Sequence, residues 1–140
     1  MAAFNKFNAF VENVAEGVHN LGSNTLKIML VNSPAPAATN SIKGDLTEIT
    51  AQNGYAAGGP TVTITASSQT SGTYSLVGND VVITASGGTI GAFRYAVLWN
   101  DTPTSPADPL IGWWDYGSSI TLADGETFTV DFGASILTLA

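Results

Sequence analysis

Cysteine is absent, histidine occurs once (His19), and only four residues are basic: Lys6, Lys27, Lys43 and Arg94, scattered along 140 positions. Each shortage removes a class of function. Without cysteine there is neither a disulfide framework nor a thiolate metal site, so stability has to come from packing. Four dispersed cations form no basic patch, whereas direct nucleic-acid binding needs several on one face to release counterions. No direct nucleic-acid partner is therefore expected, and an anionic membrane surface is disfavoured for the same reason. No apolar run approaches the roughly 20 residues that span a bilayer. The opening MAAFNKFNAFVENVAEG lacks the apolar core and small-residue cleavage site of a signal peptide, so the sequence predicts a soluble, unprocessed product. With one histidine and no Gly-x-Ser-x-Gly elbow, a Ser-His-Asp triad would have to recruit His19 from the N-terminal segment. The plainer reading of His19 is a polar residue at the junction between a helix and the first strand, hydrogen-bonded to a loop.

Charge of either sign is scarce. Charged residues make up 11% of the chain against 44% hydrophobic ones, and the net charge is −7, where soluble chains usually carry about 25% charged residues. The surface must then be built from Thr, Ser, Asn, Gly and Ala. Such a surface favours a covered patch, which predicts self-association as a homodimer. Six of the eleven carboxylates, Asp101, Asp108, Asp115, Asp124, Glu126 and Asp131, lie in the last third of the chain. A calcium loop needs oxygen ligands at alternate positions around a glycine. These acids are mostly seven or more residues apart in turn sequences, so they read as solvated turn residues, and neither a metal nor a cofactor is expected.

The length suits one domain, taken as residues 1–140 with an N-terminal segment 1–23 and a long loop 32–60. Phe7, Phe10, Val11, Val14, Val18 and Leu21 recur at helical spacing, which predicts a short helix over 5–16, capped by Asn5 and ended by Gly17. From Thr25 the period changes to two. Strands are expected at Thr25–Leu30, Thr61–Ala66, Tyr74–Leu76, Val81–Ile83, Gly91–Asn100, Leu110–Tyr116, Ser119–Leu122, Phe128–Phe132 and Ala134–Ala140, with a hairpin at Gly78-Asn79-Asp80 and a turn at Asp124-Gly125. In the central run, Phe93, Tyr95, Val97 and Trp99 should face one way and Arg94, Ala96 and Leu98 the other. Nine or so short strands without intervening helices predict a mainly β fold, a two-sheet sandwich of jelly-roll or Greek-key type with a short N-terminal helix.

Candidate binding residues come from what such a sandwich does not need. Phe4, Phe7 and Phe10 give the N-terminal segment large apolar anchors, although helical spacing also allows Phe7 and Phe10 to enter the core. Pro34 and Pro36 stiffen the long loop and reduce the entropy lost on docking. In Trp113-Trp114-Asp115-Tyr116, adjacent residues on a regular strand point to opposite faces, so one tryptophan should point away from the core, with Trp114 and Tyr116 sharing a side. Three readings are open: a protein-interface anchor, burial of both rings between layers, and a sugar-stacking platform.

Three stretches carry a resemblance: GVHNLGSNTLKIMLVNSPAPA, ITAQNGYAAGG, and GAFRYAVLWNDTPTSPADPLIGWWDYGSSITLADGETFTVDF. Together they cover most of the chain, which resembles small bacteriophage virion proteins, in particular the capsid cement or decoration proteins of short-tailed Bordetella-type phages. The resemblance implies a jelly-roll that sits as dimers on the outer surface of the capsid and clamps adjacent major capsid proteins. It also implies synthesis in the host bacterial cytoplasm and no enzymatic activity. The alternative from another class is a receptor- or carbohydrate-binding module of a phage tail or fibre.

Overall fold

The computed structural model describes residues 2–140. In chain order its elements are β1 (Asn5–Lys6), α1 (Asn8–Ala15), β2 (Leu26–Val31), a 3-10 turn at Lys43–Asp45, β3 (Ile64–Thr70), β4 (Thr73–Gly78), β5 (Val81–Thr84), β6 (Ile90–Asn100), β7 (Leu110–Leu122), β8 (Thr127–Val130) and β9 (Leu137–Leu139). The chain is mainly β, as its period-two patterning predicts.

One sheet has the order β1-β7-β6-β2 with every neighbour antiparallel. Facing it, β3-β4-β9 and β5-β8 form the second layer. The chain runs directly from β4 into β5 and nearly directly from β8 into β9. The pairings Tyr74↔Leu139 and Val81↔Val130 are almost in register, so the four strands act as one bent antiparallel pair. Its break is stitched by the Phe132 N–H donating to Asp80 Oδ1 at 3.0 Å and the Ile136 N–H donating to the Leu76 carbonyl at 2.7 Å.

The main core lies between the layers. Leu26, Ile28 and Leu30 of β2, Phe93, Ala96 and Leu98 of β6, and Ile111 and Trp114 of β7 meet Leu76, Val81, Ile83, Val130, Phe132 and Leu137. A second, smaller core sits on the opposite face of the β1-β7-β6-β2 sheet, where Met29, Val31, Val97, Trp99 and Leu110 pack with Phe7 under Leu46 of the long loop. Both faces of β2 are thus covered. That is why Met29 and Val31 are buried along with the alternating Leu26, Ile28 and Leu30, and each such fully buried side chain contributes roughly 1.5–3 kcal/mol relative to exposure.

Several expectations are corrected in detail. The helix begins at Asn8, not at residue 5, with Phe7 at its N-cap and no side-chain cap. Asn5 and Lys6 instead pair with Trp113 and Gly112 at the edge of β7, which holds their backbone extended. Gly78-Asn79-Asp80 is not a hairpin. The hairpin is β3–β4, turned by Ser71 and Gly72 at φ +51° and +84°, the pair of positive values that a two-residue type I′ loop needs. Phe93 joins the main core with Ala96 and Leu98, while Tyr95, Val97 and Trp99 face the smaller one; a register shift between Phe93 and Tyr95 flips the alternation. Leu110–Tyr116 and Ser119–Leu122 are one strand. The sheets have four, three and two strands, consistent with the expected β-sandwich.

Candidate functional site

The proposed binding residues separate into buried and open sets. Phe7 and Phe10 are buried, Phe7 in the smaller core and Phe10 in the main one; Pro36 is likewise buried, while Pro34 is exposed. Phe4 is partly covered, its ring 5.3 Å from that of Trp114. Phe7, Phe10 and Pro36 therefore cannot serve as outward anchors; the chain spends them on itself. The two tryptophans do point to opposite faces, yet neither is free. Trp114 is only 8% exposed and packs on Phe4 and Phe132; Trp113 lies 4.6 Å from the Phe7 ring on the other side. The regular-strand argument holds, but the sheet has no bare face for it to reveal.

Tyr116 is the exception, at 56% exposed. It shares a face of β7 with Trp114 and borders a cleft of about 220 Å³ where the β6–β7 sheet meets β8, lined by Arg94, Trp114, Tyr116, Phe128, Val130 and Asp131 among others. Phe128 stands edge-on to Tyr116 at 5.6 Å and to Phe93 at 4.9 Å, which fixes the apolar wall to the core. At the rim, Arg94 donates to both oxygens of Asp115 at 2.8 and 3.1 Å, and Asp115 also accepts from the Gly117 N–H at 2.8 Å. These bonds hold the Asp115 carboxyl below its usual range, Arg94 first and Gly117 second. Arg94 and Asp115 are thus paired with each other, while Asp131, also in the lining, accepts from the Gly133 N–H at 2.8 Å; beside these groups the cleft offers the aromatic and apolar faces of Trp114, Tyr116, Phe128 and Val130. At this volume it falls below the roughly 300–1,000 Å³ of pockets that enclose drug-sized ligands and suits one side chain or one ring.

The long loop is organised by residues that sequence reasoning passed over. The buried Tyr55 hydroxyl donates to Glu48 Oε2 at 2.6 Å and accepts from the Leu30 N–H at 2.9 Å. Glu48 Oε2 takes the Gly58 N–H at 2.6 Å, and the Gly58 carbonyl accepts from Trp99 Nε1 at 3.0 Å. Lys43 lies 3.6 Å from Glu48 and over the Trp99 ring. Burial, and then the Glu48 carboxylate, push the Tyr55 phenol up, so it stays protonated and available as donor. At Gly59, with φ +79°, a Cβ would lie 1.6 Å from the Ile28 carbonyl oxygen; only glycine lets the loop lie against β2. The one available signal was a lone tyrosine next to a Gly-Gly pair in an otherwise small, polar stretch. Much of residues 32–60 is thus a fixed cover on the smaller core rather than a free arm.

His19 is 8% exposed. Asn100 orients it: Asn100 Oδ1 accepts from the Thr102 N–H, leaving its Nδ2 to donate to His19 Nδ1 at 3.0 Å and to Asn24 Oδ1 at 2.9 Å. His19 Nδ1 is then the acceptor and Nε2 carries the proton, buried without a partner. Burial lowers the His19 pKa from 6.5 to about 4. The imidazole is a neutral brace between the post-helix segment and β6, in agreement with the junction reading. Among the described residues, no three His, Asp or Glu side chains cluster so as to hold a metal ion.

No protein-family model matches the chain, and neither a curated protein nor a solved structure is found similar to it.

Proposed function

We propose that the protein is a structural binding protein of the phage capsid-cement kind, which attaches to the outside of the shell and clamps adjacent major capsid proteins. The observation that carries this reading is the cleft beside Tyr116. A rigid scaffold, covered on both faces of its main sheet, leaves open a small aromatic depression beside the paired Arg94 and Asp115. Such a depression suits an apolar side chain of a protein partner: Tyr is enriched at interface hot spots, and a well-packed pocket at an interface centre concentrates binding energy. The surface elsewhere is small and polar, which fits a part that is covered in use.

The second reading, a carbohydrate- or receptor-binding module on a tail or fibre, is favoured by the same aromatic faces flanked by Asp131 and Arg94, since a single sugar ring matches the cleft in size. Copy number separates the two. Quantified in purified virions, a cement protein stands at a level comparable to the major capsid protein, whereas a fibre module stands far below it. A low ratio, or absence from the particle, refutes the cement reading. Tyr116→Ala then tests the site: attachment to shells lacking the native protein should weaken by about 2 kcal/mol, roughly thirtyfold, with folding unchanged.

A further inference from the structure

The strand β3 is exposed along most of its length; apart from β4, its own chain approaches it where Gly22 lies against the Ser67 side chain. Thr65 to Thr70 are all exposed, and exposure continues through the turn to Thr73. β3 lies at the end of its sheet, bonded to β4 on one side only. Strand edges present unpaired N–H and C=O groups, and proteins blunt them by coverage, brevity, charge or proline. The edge of β2 is covered, since Ile28 donates to Pro60, Val62 to Leu26 and Ile49 to Leu30 at 2.8–3.1 Å. The β1 edge is two residues long and carries Lys6. β3 has seven residues, no proline and no charge, and its one irregularity lies at its start, between Ile64 and Ala66.

We infer that β3 pairs edge to edge with β3 of a second copy of this chain, antiparallel about a two-fold axis at Ser68. Electrostatics selects this occupant. The chain carries a net charge of −7, so two copies repel over most of their surface, but no Asp, Glu, Lys, Arg or His occurs between Glu48 and Asp80. The β3 edge is the place where identical molecules approach without like charges meeting. Geometry sets the register. Thr70 and Thr73 flank the two-residue turn, so Thr70, Ser68 and Ala66 bond to β4 opposite Thr73, Ser75 and Val77, and by antiparallel alternation Ser67 and Gln69 turn their N–H and C=O groups outward. A two-fold at Ser68 sets Ser67 of each copy opposite Gln69 of the other, giving four main-chain hydrogen bonds. It also brings the two Ser68 side chains face to face and Ala66 opposite Thr70, all small and uncharged. The interface is isologous and closes on itself. It does not rest on the shell-binding reading.

The experiment places a charge on the axis of the full-length chain. Sedimentation equilibrium of the native protein should give a dimer. Ser68→Lys and Ser68→Glu each set like charges directly opposite one another, and each alone should raise the dissociation constant at least about tenfold; an equimolar mixture should restore the dimer as a Lys–Glu pair. Ser68→Lys moves the net charge toward zero, so loss of the dimer in that variant cannot come from general repulsion. The Ser68 side chain is exposed, and unchanged melting curves will show that the variants fold. A monomeric native chain at high micromolar concentration, undiminished association of either variant, or failure of the mixture to recover overturns the proposal. So does a variant that keeps the native oligomeric state but no longer attaches to shells, since the edge would then belong to a shell strand.

Discussion

Acidification from pH 7 to pH 4.5 should destabilise this protein through one residue, His19. The folded state holds the imidazole neutral, with a pKa lowered to about 4 against 6.5 in the unfolded chain. Between those values the unfolded chain binds the proton and the folded chain does not. Stability is therefore full above pH 6.5, falls as the pH drops toward 4, and loses nothing more from this group below 4. At about 1.4 kcal/mol per pH unit the interval sets a ceiling of about 3 kcal/mol, and screening through the open depression that His19 lines with Val14, Asn20 and Tyr74 brings the expected loss to about 2 kcal/mol. The cause is burial of the ring, which disfavours its charged form; a proton on Nδ1 would also face the Asn100 amide N–H that now donates to it. The carboxylates with lowered pKa, Asp45 and Asp115, have a reference value of 3.8; the stability they contribute is present above 3.8 and is lost below it, outside the window. Denaturant titrations at pH 7, 6, 5 and 4.5 should show the slope, and His19→Gln, which keeps an acceptor for Asn100, should flatten it whatever its own baseline stability. A native protein equally stable at pH 7 and 4.5, or a His19→Gln variant with the native slope, refutes the reasoning.

Three further outcomes follow from packing. Phe7→Ala should cost about 3–5 kcal/mol in denaturant unfolding, since the ring is fully buried in the smaller core, and deletion of residues 1–10 should abolish cooperative melting rather than merely loosen attachment. Gly59→Ala should destabilise by several kcal/mol, because the added methyl meets the Ile28 carbonyl and strain at positive φ adds at least about 1 kcal/mol; Gly17→Ala, with open space around it, should cost only the conformational part. Tyr55→Phe removes the hydroxyl that bridges Glu48 and Leu30 and should cost about 1–3 kcal/mol, with faster hydrogen exchange confined to residues around the long loop.

The sheet elements were legible wherever one rule decided them. Period-two runs marked β2, β6 and β8, and Asp124-Gly125 marked the turn before β8. What the sequence hid depended on partners far along the chain. Asn5 is a good helix cap by type, yet Trp113, more than a hundred residues away, supplies it with a ladder position. Asn79-Asp80 carries turn residues but leads from β4 into a strand that pairs elsewhere, with β8, and Asp80 accepts from the Phe132 N–H, fifty-two residues along the chain. The flip at Phe93 needed knowledge of a register shift that no alternation rule contains. Tyr116 is exposed on the face it shares with the buried Trp114; Phe128 and Asp131, which lie beside it, could not be read from the sequence, because they lie beyond β7 in the chain and join it only when the layers close.

The long loop ties these misreadings to function. Its length suggested a docking arm, and its sequence is small, polar and proline-bearing in the way such arms are. Folded, residues from Glu48 to Gly59 are held by hydrogen bonds to Leu30 and Trp99 and close the second face of the main sheet. Without that cover Met29, Val31, Val97 and Leu110 would face solvent, and so large an apolar face on a chain with few charges would aggregate. The loop therefore takes one apolar face of the sheet out of solvent, while the uncharged β3 edge and Tyr116 beside its cleft stay exposed.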